Sequence, residues 1–79
     1  MDKDQQEHKK FLEEQVEWGR QRDAILEQIE NKLYEMKELA EYARDNELTP
    51  IERSRLQEQM NTLNQGVHSL EQQLQSEVN

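Results

Sequence analysis

Two runs of apolar residues, each advancing by alternating steps of three and four, constrain this chain more than any other feature. The first is Leu26, Ile29, Leu33, Met36, Ala40 and Ala43; the second is Leu56, Met60, Leu63, Val67, Leu70 and Leu74. Steps of three and four keep an apolar stripe on one face of a helix, whereas a strand needs strict alternation and a disordered chain has no reason for a period. The equal lengths of the runs predict two helices whose seams face each other.

The segment between the runs reads Asp45-Asn46-Glu47-Leu48-Thr49-Pro50-Ile51-Glu52. Thr49 can accept a hydrogen bond from the amide three residues on, and Glu52 can reach back to the Thr49 amide. This is a capping box, with Pro50 at the first helical position where its missing N–H costs nothing. The reading is therefore helix 1 over residues 3–44, a loop at 45–49 and helix 2 over 50–77, as a single domain covering 1–79. Asp4 with Glu7 offers a weaker box of the same kind near the first helix start.

A short loop folds such helices into an antiparallel hairpin, in which seam partners have numbers of constant total. Ala40 with Leu56, Met36 with Met60, Leu33 with Leu63, Ile29 with Val67 and Leu26 with Leu70 all total 96. The same register sets Gly19 opposite Glu77, so residues 1–17 project beyond the second helix. That overhang carries Phe11, Leu12 and Val16, with Trp18 at its root, and apolar groups on an unpaired helix call for a partner. Phe11, Trp18, Ile25 and Leu39 stand seven or fourteen residues apart and add a third apolar track. A stripe that wide suits a bundle of more than two helices, as a dimer of hairpins provides. The fold expected is all-α: a two-helix coiled-coil hairpin with an N-terminal overhang, dimerising into a bundle.

Composition bears on function mainly by exclusion. With 79 residues, 35% of them charged and 32% hydrophobic, the chain cannot enclose a cleft of its own, and an enzyme is not expected. The acidic pairs Glu13–Glu14 and Asp2–Asp4 lie on a solvated face, without the burial that tunes a carboxylate for catalysis. No cysteine is present, and His8 and His68 are preceded three residues earlier by Gln5 and Gln65, not by the glutamate of carboxylate-bridged di-iron bundles. No metal or cofactor is expected. A net charge of −8 with unclustered Lys and Arg disfavours direct nucleic-acid binding. The absence of an 18-residue apolar run and of a basic flank near Met1 predicts neither a membrane span nor a secretory signal, and the expected compartment is the cytoplasm. Gly19 and Gly66 each cost a helix about 1 kcal/mol relative to Ala. Close helix approach or a kink is a candidate reason at Gly19; Gly66 has none in the sequence.

Met36-Lys37-Glu38-Leu39-Ala40, then Ala43, the loop, and Arg53, Leu56, Gln57, Met60, Leu63 and Val67 resemble the N-terminal helical hairpin of bacterial flagellins. That family carries an Arg/Lys-Glu-Leu-Ala helix, a short polar loop, then Arg followed by an apolar residue and Gln. Glu38 and Arg53 are 15 apart here, as in the family, and the likeness spans residues 33–70. It implies a hairpin and a flagellar ancestry. It does not imply a complete filament subunit, because the long C-terminal helical segment of flagellins has no counterpart here, and the loop lacks their Asn/Gly-Thr character.

Three functions follow as expectations. The first is a non-catalytic interaction or structural protein: a hairpin closed by the Leu33 seam that self-associates as a homodimer and presents Phe11, Leu12, Val16, Trp18, Ile25 and Leu39 to itself or another protein. The second is an acidic regulator that masks the DNA-binding surface of a basic protein. The third is a structural or accessory protein related to flagella or a phage particle.

Overall fold

The computed structural model describes residues 2–76 and contains two helices and no strand among them: α1, Lys3–Asp45, and α2, Pro50–Ser76. Their 43 and 27 residues, at about 1.5 Å each, give rods of roughly 65 and 40 Å. The helices pack against each other as a hairpin of 71 × 19 × 12 Å. The longest dimension is therefore set by α1 alone, which outruns α2. Residue 77, expected at the end of the second helix, lies outside the described residues, as does the Gly19–Glu77 pairing.

Local chemistry fixes both ends of the loop. Asn46 is extended (φ −129°, ψ 147°), and its backbone N–H (3.1 Å) and its side-chain amide (2.9 Å) both donate to the Tyr42 carbonyl. This satisfies one of the last orphan carbonyls of α1 without the left-handed glycine that ends many helices. Three residues later the Glu52 amide donates to the Thr49 hydroxyl (3.2 Å), and the Thr49 amide donates to the Glu52 carboxylate (3.3 Å). The Arg53 amide closes the first turn onto the Thr49 carbonyl at 2.9 Å. A reciprocal cap of this kind contributes about 1 kcal/mol. At the other terminus the Gln6 amide donates to the Asp2 carbonyl at 3.1 Å, and α1 begins at Lys3. Asp4 therefore sits inside the first turn, where its charge complements the helix dipole, and does not cap it.

The seam lies one row away from its expected place on α1. On α2 all six expected residues turn inward: Val67 and Leu70 are buried, and Leu56, Met60, Leu63 and Leu74 are half-buried. On α1 the inward residues are Trp18, Ile25, Ile29, Lys32, Met36 and Leu39, of which Ile25 is buried and the others half-buried. Ile29 and Met36 belong to the expected seam. Leu26 and Leu33 do not turn inward: they are exposed at 39% and 49%; Ala40 and Ala43 are exposed as well, but border a depression with Leu56 and Met60 at the loop end of the seam. The difference turns the buried stripe by roughly 50°, half of the 100° step between successive residues. Both phases share Ile29 and Met36, and the row that turns inward carries Lys32, a charged residue, while Leu33 stays exposed.

Lys32 also accounts for Gly66. An ideal Cβ built on Gly66 would stand 3.0–3.3 Å from the last two methylenes and the nitrogen of Lys32, so the lysine stem lies across the space that a side chain would take. Lysine buries its methylenes in this way while its charged head stays at the edge of the seam. The two residues total 98, against 96 expected for seam partners. Gly19 differs, since nothing comes within 4 Å of its Cβ position and neither glycine has a positive φ. Close approach by α2 is therefore not the reason for Gly19.

These two environments give opposed expectations for alanine. Gly19→Ala should raise the unfolding free energy by about 1 kcal/mol, the full propensity difference. Gly66→Ala should gain less, because the Lys32 terminus must move by a few tenths of an ångström first. Thermal melts of the two variants check this; a larger gain at Gly66 than at Gly19 contradicts the Lys32 contact.

Candidate interaction surface

Around α1 the side chains fall into rows that repeat every seven residues. Two rows form the seam: Trp18, Ile25, Lys32 and Leu39, with Ile29 and Met36 beside them. Next to these, on the outer side, runs Leu12, Gly19, Leu26, Leu33 and Ala40, and beyond it Lys9, Val16, Asp23, Glu30, Lys37 and Arg44. The Leu12–Ala40 row is apolar along its whole length. All of it is exposed except the half-buried Gly19, although α2 packs on the rows beside it.

The burial ledger of the hairpin is correspondingly thin. Among the described residues only Ile25, Val67 and Leu70 are buried, at 8, 6 and 7% exposure, and no side chain is fully enclosed. Near the loop, Leu39, Ala40, Ala43, Leu48, Leu56 and Met60 line a shallow depression with Arg53 and Gln57 and form no closed core. Small alanines at 40 and 43 leave little there to bury. The exposed large apolar residues, by contrast, run mostly along α1: Phe11, Leu12 and Val16 on the overhang, and Leu26, Leu33, Tyr34 and Tyr42 beyond it, with Ile51 in the first turn of α2.

Of the six residues expected at an interface, the structure separates two groups. Ile25 and Leu39 are part of the intramolecular seam, as is half-buried Trp18, whose ring lies 5.6 Å from the Arg22 guanidinium. Such a cation–π contact places a positive charge at the root of the overhang. Phe11 (55%), Leu12 (49%) and Val16 (54%) stay exposed, and residues 3–17 are exposed throughout. Leu26 and Leu33, expected in the seam, join Leu12 in the open row.

The polar features are solvated. Glu41 pairs with Lys37 at 3.9 Å, and Arg44 forks onto Asp45 at 2.8 and 3.1 Å. The Arg44 guanidinium holds the Asp45 carboxyl below the ordinary carboxylate range, and Asp45 in return raises Arg44. Exposed pairs of this type contribute little to stability. His8 and His68 are exposed, and among the described residues no group of three His, Cys, Asp or Glu side chains could hold a metal ion. On the face opposite the apolar row, Glu35, Glu38 and Glu58 line an open groove floored by Leu39 and Leu63. No helix among the described residues is long and apolar enough to cross a membrane.

No family model, no curated protein and no solved structure matches this chain.

The rotated seam changes what single substitutions should do. Leu70→Asp places a charge at one of the three buried positions, which costs several kcal/mol, comparable to the stability of a domain this small. It should abolish the helical signal. Leu33→Asp, placed in the open row, should keep the hairpin and remove only association. Circular dichroism with size exclusion checks both, and loss of helicity in Leu33→Asp equal to that in Leu70→Asp would restore Leu33 to the seam.

Proposed function

We propose that this chain is a non-catalytic protein–protein interaction element, a helical hairpin that self-associates through α1 and presents the N-terminal part of that helix to another protein. The observation that carries this is the mismatch on α1. Three buried residues are a small return for two helices of this length, while an apolar row parallel to the seam remains open to water. Large exposed apolar patches mark interaction surfaces. A row seven residues in period is read by another helix, since it presents a knob every two turns. The open groove that Glu35, Glu38 and Glu58 line leaves these carboxylates in water, which suits binding better than acid–base chemistry.

A second reading has one specific observation in its favour. Glu35, Glu38 and Glu58 gather along one groove of a chain with net charge −8, which suits a basic protein surface, such as one that otherwise binds DNA. Association of that kind weakens steeply with salt, whereas apolar self-association strengthens or is unchanged.

Light scattering after size exclusion, over a concentration series at low and high salt, separates the readings. Self-association predicts a mass of twice 9.6 kDa that survives added salt. A monomer at every concentration contradicts it and leaves the acidic groove as the better-supported surface.

A further inference from the structure

The open row on α1 can be covered by one occupant whose chemistry is fully known, a second copy of α1. We propose that two hairpins stack face to face through Leu26, Leu33 and Ala40, with the two α1 helices antiparallel and Leu33 on the two-fold axis. This rests on the self-associating reading above and specifies its register.

The orientation follows from the shape of the hairpin. The Leu12–Ala40 row points out of the plane that contains α1 and α2. A two-fold axis that makes the α1 helices antiparallel leaves both α2 helices on the same side, so four helices close around one centre. A parallel arrangement sends the α2 helices to opposite sides and leaves the stripe half covered. Four-helix packing is what a stripe of three adjacent apolar rows on α1 suits.

Charge then selects the register. Any antiparallel register that keeps the open row on itself also sets the outer row, Lys9, Val16, Asp23, Glu30, Lys37 and Arg44, against its own copy. With Leu26 on the axis, Asp23 meets Glu30 and Lys9 meets Arg44, which repel. With Leu26 opposite Leu33, Asp23 meets Lys37, but Glu30 meets itself. With Gly19 opposite Leu26, Lys9 meets Lys37 and Asp23 meets itself. With Leu12 opposite Leu26, only Lys9 and Glu30 attract, once in each direction. With Leu33 on the axis, Glu30 meets Lys37 and Asp23 meets Arg44, each twice by symmetry, and no like charges meet. Electrostatic complementarity fixes register in this way even where it adds little affinity.

The apolar contacts agree with that choice. Leu26 falls opposite Ala40 of the second copy, a large residue against a small one, and Ile29 falls opposite Met36 on the inner side. All four charged residues of the selected register are exposed in the single chain; Lys37 lies 3.9 Å from Glu41 and Arg44 holds Asp45, solvated contacts that the pairs across the dimer would share or replace. The overlap covers residues 21–45 of each α1, the stretch beside α2. Phe11, Leu12 and Val16 are left projecting from both ends of the bundle, where the proposed second protein would bind.

The test is a charge exchange read by sedimentation, with circular dichroism confirming that each variant stays helical. Glu30→Lys and Lys37→Glu should each weaken the dimer roughly tenfold, because each places like charges together twice. The double variant should recover most of the affinity. The chain has no cysteine, so Leu33→Cys supplies an independent reading: it should give a disulfide-linked dimer on mild oxidation, and Leu26→Cys should not. A wild-type monomer would overturn both this inference and the self-association beneath it. A dimer that ignores the single charge variants, is not rescued by the double, or cross-links through Leu26→Cys would overturn the register alone.

Discussion

The architecture depends on how α1 divides its apolar residues between two tasks. A helix of 43 residues facing one of 27 cannot use its whole length within the chain, and burial along α1 stops at Trp18. Within the paired part the division is sideways as well as lengthwise. The rows through Ile25 and Ile29 face α2, and the row through Leu26 and Leu33 faces water. The hairpin is therefore closed by a narrow seam, and the apolar row beside it on α1 stays exposed.

Lys32 lies on the inward side of this division, in the row that packs on α2. If the Leu33 row faced α2, Lys32 would stand at the rim of the hairpin and Gly66 would be an unexplained helix weakness. With the Lys32 row inward, the lysine stem covers apolar surface and Gly66 gives it room. The loop supports the arrangement by fixing where α2 begins: the Thr49–Glu52 cap and the double hydrogen bond onto the Tyr42 carbonyl leave three residues, Glu47 to Thr49, between Asn46 and Pro50. A loop this short permits little freedom in how the helices face each other.

Much of this was legible in the residues themselves. Steps of three and four specify helices whatever their surroundings, and a capping box is local chemistry, so the two helices and the start of α2 could be read directly. The rotation of the α1 seam could not, because Ile29 and Met36 serve either phase and a reading guided by apolarity passes over a lysine in favour of Leu33. The signal that could have found it was Gly66, whose missing side chain called for a long neighbour. On the surface, Phe11, Leu12 and Val16 were readable as unpaired from helix length alone. Apolar spacing alone sets Ile25 and Leu39 on a track beside the seam; in the fold their row is part of it.

The packing makes α1 and α2 one cooperative unit that ends near Trp18. Amide hydrogen exchange resolved by residue, under conditions where the chain is monomeric, tests it most directly, because protection reports which hydrogen bonds open only with the whole fold. Residues 25–45 and 50–74 should exchange together at the slowest rate, and residues 3–17 markedly faster. Equal protection along all of α1 would contradict the account, since it would mean that the N-terminal part of that helix is held by contacts other than those with α2.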